Sequence, residues 1–196
     1  MAGCPVCPCR NEPAPPYLCF AGVSNKPALP MSTTRAEEHQ GRWQEIVADP
    51  SLQELPYKVE TNHRGQIVLS PHRPDHSYAQ GDIIELLYEH GEEGRPFPEF
   101  PLTTEAGVRA PDVVWVTPER REEMDKAGDP PTLAPEICIE VMSENNDWDE
   151  MHSKRALYLE AGAEEVWVVT EEGAVRFFAD EETEASGVLP GFPEHV

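Results

Sequence analysis

Three stretches of the chain carry nearly unbroken runs of apolar residues. The first is Val113 to Val116, the second is Ile137 to Val141, and the third is Glu165 to Thr170. Short continuous apolar runs are typical of strands that are buried on both faces of a sheet. Glu140 interrupts the second run, and a carboxylate in such a strand needs a partner because burying it unpaired is costly.

A helical pattern connects the second run to the third. Asp147, with an acid three residues later, has the spacing of a capping box, and Gly162 is typical of a helix end. Between them, Met151 and Tyr158 belong to an apolar face. At 100° per residue Lys154 falls inside that face, so its ammonium either reaches an edge of the helix or meets carboxylates of the sheet.

The first half of the chain predicts further elements. A β-hairpin is indicated because two segments of alternating polarity flank a turn that contains a glycine. A stretch with three prolines and two glycines predicts a flexible loop. In chain order the predictions are a helix from Thr34 to Val47, hairpin strands Tyr57 to Thr61 and Gln66 to Ser70, a helix from His76 to His90, and a loop from Gly91 to Pro101.

The N-terminal segment differs in composition from the remainder. Residues 1–31 are rich in proline and cysteine without a helical or strand period, so we expect a disordered extension, followed by a single domain over residues 32–196. A zinc site is the alternative for the four clustered cysteines, although their spacing departs from two separated CxxC knuckles. These cysteines are Cys4, Cys7, Cys9 and Cys19. Met31 is an alternative start of translation.

The charge balance restricts the partners. Fifteen Lys and Arg against 37 Asp and Glu give a net charge of −22, which disfavours non-specific binding of polyanions. A short basic strip or a bound divalent cation can reverse the sign locally, so a nuclease is compatible with this charge. No apolar run approaches the roughly 18 residues that span a bilayer, and we expect a cytoplasmic protein with no membrane partner.

Asp112, Glu140 and Lys154 form a candidate catalytic set. Two carboxylates from neighbouring strands can hold Mg²⁺ or Mn²⁺, and a lysine beside them can orient a water or stabilise negative charge. Metal and lysine together suit the hydrolysis of a phosphodiester. The structural alternative is equally simple: Asp112 caps the strand that follows it, and Glu140 forms an ion pair with Lys154.

The order of the motifs resembles a known family. The chain carries a Pro-Asp pair ending at Asp112, the strand segment IEVMS with Glu140, and a helix reading K-xxx-Y-xxx-G from Lys154 to Gly162. This order is similar to the Uma-two family of restriction-endonuclease-like proteins in the PD-(D/E)XK nuclease superfamily. The resemblance spans about residues 35–193 and implies an α/β restriction-endonuclease-like core, with a mixed central sheet flanked by helices.

The family pattern implies roles for particular residues. Asp112 matches the aspartate of the PD motif, and Glu140 matches the acid of the (D/E)XK motif. The lysine of that motif is replaced by Met142, and Lys154 on the next helix is expected to take its place. Glu60 matches an upstream acidic position of the family, which implies either an additional acid of the metal site or an acid that supports its ligands, with a surface strand residue as the alternative.

The same resemblance implies Mg²⁺- or Mn²⁺-dependent cleavage of DNA, with a homodimer as a looser implication. A rival hypothesis is a catalytically silent domain that keeps the fold for binding or regulation. The acidic surface and the lack of a clustered basic stripe in the sequence favour that rival. His76 and Gln80 are weaker candidates, because a histidine near a helix start is more often a cap or a surface residue.

Overall fold

The computed structural model describes residues 33–53, 55–144 and 146–196. The N-terminal extension, the zinc site at its cysteines and the alternative start at Met31 lie outside these residues and stay predictions. Cys138 is a free, buried thiol in a strand. No helix in the described part of the chain is both long and apolar enough to cross a membrane.

Four helices and ten strands make up the described chain. The helices are α1 (Thr33–Ala48), α2 (Pro74–His90), α3 (Pro118–Met124) and α4 (Trp148–Glu160). The strands are β1 (Tyr57–Thr61), β2 (Ile67–Pro71), β3 (Arg95–Pro98), β4 (Leu102–Thr104), β5 (Gly107–Arg109), β6 (Val113–Val116), β7 (Ile137–Val141), β8 (Glu165–Val169), β9 (Val175–Phe178) and β10 (Glu182–Thr183). The predicted α/β class is confirmed.

A six-stranded mixed sheet forms the centre of the molecule, in the order β10-β9-β8-β7-β6-β3. The pair β7 and β8 is parallel, and the other neighbouring pairs are antiparallel. Two separate hairpins, β1-β2 and β4-β5, lie outside this sheet. The sheet is therefore mixed and flanked by helices, as the resemblance implied.

Helices cover both faces of the sheet. On one face, Ile83 and Leu87 of α2 pack into the apolar cluster that contains Val113, Ile139 and Trp167. On the other face, Met151 and Tyr158 of α4 pack against the alternate residues of the same strands. Because side chains alternate along a strand, Glu140 projects to the α4 side, between the buried neighbours of that helix.

The prediction of a loop from Gly91 to Pro101 is wrong in its middle, because β3 lies there and pairs with β6. Pro96 and Pro98 lack an N–H donor, and β3 is the edge strand, where such residues are tolerated. Phe97 between them packs against the buried cluster on the α4 side. The prolines indicate an edge strand rather than an excursion from the fold.

Candidate metal and catalytic centre

The two acids of the predicted set lie opposite each other on antiparallel strands. Val113 of β6 pairs with Ile139 of β7, and one further step of this register places Asp112 opposite Glu140. The backbone N–H of Val141 donates a hydrogen bond to Oδ2 of Asp112 at 2.8 Å. Since directly opposite residues project to the same face of an antiparallel pair, both carboxylates face the same side of the sheet.

Asp112 is buried, and one of its oxygens contacts both a lysine and a histidine. Nζ of Lys58 lies 2.6 Å from its Oδ1, and Nε2 of His76 lies 3.1 Å from the same oxygen. Burial alone would raise the pKa of Asp112, but Lys58 and His76 outweigh it and hold the pKa well below its ordinary value. Gln80 also donates a hydrogen bond to the backbone carbonyl of Asp112 at 3.2 Å. Asp112 is therefore an ionised, fixed carboxylate.

Glu140 is held by two residues of α4. Lys154 donates from Nζ to Oε2 at 2.9 Å, and the hydroxyl of Tyr158 donates to Oε1 at 2.5 Å. Burial raises the pKa of Glu140, and the charge of Lys154 opposes that rise. For Lys154 the balance is reversed, because burial acts to lower its pKa while Glu140 raises it above its ordinary value. Lys154 thus carries a positive charge at neutral pH.

Glu60 reaches the same region from β1. Its side chain is buried, its Oε1 accepts the backbone N–H of Ala110 at 2.8 Å, and Nη1 of Arg109 lies 3.5 Å from its Oε2. This burial excludes the alternative of a surface strand residue. Glu60 connects the β1-β2 hairpin to the segment immediately before Asp112.

One cavity of about 270 Å³ joins these side chains. Four Lys or Arg side chains line it, together with five carboxylates and two histidines. Its polar lining includes Lys58, Glu60, His72, Arg73, His76, Glu99, Arg109, Asp112, Glu140, Glu150 and Lys154. The lining is thus nearly neutral, in contrast to a chain whose net charge is −22.

A second cavity of about 500 Å³ adjoins the first and shares Arg73, His76, Val141 and Ser143 with it. Five acidic side chains of α2, the loop after β7 and the β8-β9 turn line this second cavity, with Arg73 as the cationic residue of the lining. An anionic ligand is therefore disfavoured there relative to the first cavity.

The three carboxylates suit a hard divalent cation, because Mg²⁺ and Mn²⁺ prefer oxygen ligands. Asp112, Glu140 and Glu60 supply such oxygens to the first cavity. Within residues 33–53, 55–144 and 146–196, however, no three His, Cys, Asp or Glu side chains are arranged around a common metal position. The carboxylate oxygens are instead bound to lysine, arginine, tyrosine and backbone donors.

Asp112, Glu140 and Lys154 are brought together as expected, and Glu60 joins them. Sequence reasoning missed Lys58 and ranked His76 as a weaker candidate, and both side chains contact Asp112. A signal for Lys58 was present, because it stands two residues before Glu60 in a strand, and residues i and i+2 share a face. His76 lacks such a signal, since its contact depends on how α2 docks beside β6.

Comparisons with known proteins agree with this architecture. The model of the Uma2 family, described as "Putative restriction endonuclease", matches residues 43–192. The fold is similar to that in the crystal structure of a putative nuclease belonging to DUF820 from Anabaena variabilis ATCC 29413. That similarity has a TM-score of 0.53 and 18% sequence identity, over 64% of this chain and 74% of the other. Curated proteins gave no match.

Proposed function

The chain belongs to the Uma2 family of restriction-endonuclease-like proteins, and from this membership we propose that it is a metal-dependent nuclease that hydrolyses DNA phosphodiester bonds. The observation that carries the proposal is the convergence of Asp112, Glu140 and Lys154 on one cavity. Two carboxylates and a buried cation in a single pocket are the groups that phosphodiester hydrolysis requires.

Asp112 and Glu140 are the residues that would hold the metal ion, with Glu60 as a third oxygen donor. Mg²⁺ or Mn²⁺, when bound, supplies positive charge beside the phosphate and lowers the pKa of a coordinated water. The chain contributes the positions of the ligands. Asp112 is fixed by the backbone N–H of Val141, and Glu60 by the backbone N–H of Ala110. Hydrogen bonds of this kind orient carboxylates that ligate a metal.

Lys154 is the proposed third catalytic residue. Its ammonium lies beside Glu140 and its side chain is 17% exposed, so it borders the cavity and stays accessible to a ligand there. Because Glu140 keeps it charged, Lys154 suits the orientation of a water and the stabilisation of negative charge on the phosphate rather than the acceptance of a proton.

The local charge supports an anionic substrate at this place. The first cavity has nearly balanced charges, whereas the adjoining cavity is strongly acidic. A phosphate group is therefore expected in the first cavity, with the flanking phosphates directed away from the second. The net charge of −22 repels the DNA phosphates that lie outside the cavity. The affinity for DNA should therefore be low and should depend on contacts within the cavity.

A nicking assay tests this proposal. Supercoiled plasmid DNA is incubated with the purified full chain in Mg²⁺, in Mn²⁺ and in excess chelator, in parallel with Asp112→Asn, Glu140→Gln and Lys154→Met. Each variant should lower the cleavage rate at least about a hundredfold, since removal of one electrostatic stabiliser typically costs that much. Linear duplex, single-stranded DNA and RNA of equal length define the substrate class.

Two surface variants serve as matched controls. Glu122→Gln and Lys126→Met change the same residue types on the exposed surface, outside the cavity lining, and should keep full activity. Thermal melting of each variant separates a lost fold from a lost reaction. Full activity of Lys154→Met would remove Lys154 from the mechanism. Absence of cleavage and of calorimetric Mn²⁺ binding in the unaltered chain would instead favour a silent binding domain.

A further inference from the structure

Lys58 has no role in the proposed reaction, yet it lines the cavity of the candidate site and contacts Asp112. It is on β1, and its side chain is only 11% exposed. Its Nζ lies 2.6 Å from Oδ1 of Asp112. A lysine this deeply buried loses much of its hydration, so its ammonium stays charged only where acidic groups surround it.

The ammonium of Lys58 contacts Asp112 and shares one cavity with Glu60 and Glu140. Although burial acts to lower the pKa of Lys58, the charges of Glu140, Asp112 and Glu60 raise it above its ordinary value. These are the three acids that would hold the divalent cation. The ammonium thus occupies Oδ1 of Asp112, an oxygen proposed to hold the metal ion, inside the cavity that Glu60 and Glu140 also line.

The three carboxylates have other partners as well. Glu140 is bound by Lys154 and Tyr158, and Glu60 is bound by Arg109 and a backbone N–H. These partners belong to α4, to the end of β5 and to Ala110 directly after it. Lys58 differs from them because its ammonium contacts Asp112 itself, 2.6 Å from the Oδ1 that His76 also contacts at 3.1 Å.

We propose that Lys58 is an intramolecular competitor for the metal ion, whose ammonium neutralises Asp112 in the metal-free protein and must leave it before a divalent cation binds there. This inference rests on the proposed function. Its physical reason is that like charges repel strongly at short range in a partly buried site, so an ammonium on Asp112 and a divalent cation on the same carboxylate exclude each other. Glu140 and Glu60 have Lys154 and Arg109 as their cations, and Lys58 supplies the corresponding cation to the buried Asp112 in the metal-free fold.

Calorimetric titration with Mn²⁺ tests the inference without depending on cleavage. Lys58→Met keeps the length of the side chain and removes its charge. If Lys58 competes with the metal, the variant should bind Mn²⁺ at least about tenfold more tightly than the unaltered chain. Its melting temperature should be lower than that of the unaltered chain in chelator and should rise more on addition of Mn²⁺. Equal or weaker binding of Mn²⁺ by Lys58→Met would overturn the proposal.

The control is Lys126→Met, which removes the same charge from an exposed position and should leave Mn²⁺ affinity unchanged. Should Lys58→Met be unfolded in chelator, Lys58→Gln provides a second, polar variant. If Mn²⁺ alone restores a cooperative melting transition to both variants, the proposal is supported. If neither variant regains this transition in Mn²⁺, the proposal is contradicted.

The two proposals can fail separately. If the unaltered chain binds Mn²⁺ and cleaves DNA while Lys58→Met binds Mn²⁺ no more tightly, the competition by Lys58 is disproved and the nuclease proposal stands. If neither chain binds Mn²⁺ and neither cleaves DNA, the nuclease proposal fails and the competition fails with it. Binding by Lys58→Met alone would show that the lysine blocks the site.

Discussion

Tyr158 donates its hydroxyl hydrogen to Oε1 of Glu140 at 2.5 Å, in a region where neither side chain is appreciably exposed. Lys154, one helical turn earlier on α4, binds the other oxygen of the same carboxylate. The spacing of four residues places both donors on one face of the helix. The K-xxx-Y part of the sequence motif is therefore a device for holding Glu140 by both of its oxygens.

Tyr158→Phe should fold and should be destabilised by about 1–3 kcal/mol, because Oε1 of Glu140 loses its donor in a buried place. Urea unfolding measures the change. Tyr88→Phe is the matched control, since Tyr88 is 59% exposed and its variant should stay within about 0.5 kcal/mol. Equal free energies of unfolding for the two variants would show that the hydrogen bond from Tyr158 to Glu140 does not stabilise the fold.

Lys154→Met should lower the free energy of unfolding by about 3 kcal/mol, because it leaves the buried Glu140 carboxylate without its cation. The double variant Glu140→Gln/Lys154→Met should be more stable than Lys154→Met alone, since the uncompensated charge is then absent. A double-mutant cycle from urea unfolding gives the coupling energy, for which about 1–3 kcal/mol is expected. Additive single effects would contradict a direct ion pair.

The sequence predicted the core of the fold because the relevant signals are local. The strands β6, β7 and β8 appear in the sequence as apolar runs, and the capping residue Asp147 marks the start of α4. The structure confirms this cap, because the backbone N–H of Glu150 donates a hydrogen bond to Oδ1 of Asp147 at 2.8 Å. The edge strand β3 was missed because its prolines resemble loop residues. Only its pairing with β6 distinguishes the two, and pairing is a long-range property.

The candidate site also has a part that local sequence patterns predict and a part that depends on long-range contacts. The inward direction of Lys154 follows from helical geometry and could be predicted from its neighbours on α4. The opposition of Asp112 and Glu140 depends on the register between β6 and β7, which no local pattern specifies. The approach of Lys58 and His76 depends on how the β1-β2 hairpin and α2 dock onto the sheet. Partners brought in by tertiary docking are therefore the part that sequence reasoning missed.

Glu165 is a buried carboxylate with a structural role. Its oxygens accept hydrogen bonds from Trp167 Nε1 at 2.7 Å, Ser186 Oγ at 2.7 Å and the backbone N–H of Gly187 at 2.6 Å. Glu165→Ala leaves these donors unpaired and should lower the free energy of unfolding by about 3 kcal/mol. Glu160→Ala, at an exposed position of α4, is the control for urea unfolding and should change little. An equally small effect of both variants would exclude Glu165 as the anchor of the C-terminal segment.

Two glycines should respond to alanine in opposite directions. Gly81 lies inside α2, where an added Cβ meets nothing within 4 Å, and Gly81→Ala should stabilise the fold by about 1 kcal/mol. Gly107 has a φ of +107°, and a Cβ there would lie 2.4 Å from the carbonyl oxygen of Thr61. Gly107→Ala should therefore destabilise by at least about 2 kcal/mol. Thermal melting should show a higher melting temperature for Gly81→Ala and a lower one for Gly107→Ala. Melting temperatures that change in the same direction in both variants would contradict this prediction.

His39 should make stability fall as the pH falls. It is a buried residue of α1, and burial, followed by the nearby charge of Arg35, lowers its pKa from the ordinary 6.5. The unfolded chain therefore takes up a proton near pH 6.5, while the folded chain takes it up only at lower pH. The loss of stability begins as the pH drops through about 6.5 and is complete below the folded pKa.

His39→Leu removes this titration. The measurement is the free energy of unfolding in urea at pH 7.5, 6.0 and 5.0 for both chains, because the other ionisable groups are common to the two and cancel in the difference. The stability of the unaltered chain relative to His39→Leu should decrease steadily from pH 7.5 to pH 5.0. A difference that stays constant, or that grows in favour of the unaltered chain at low pH, would mean that protonated His39 is accommodated in the fold. In that case a rearrangement of α1 that exposes the imidazole or brings it closer to Glu105 would be required.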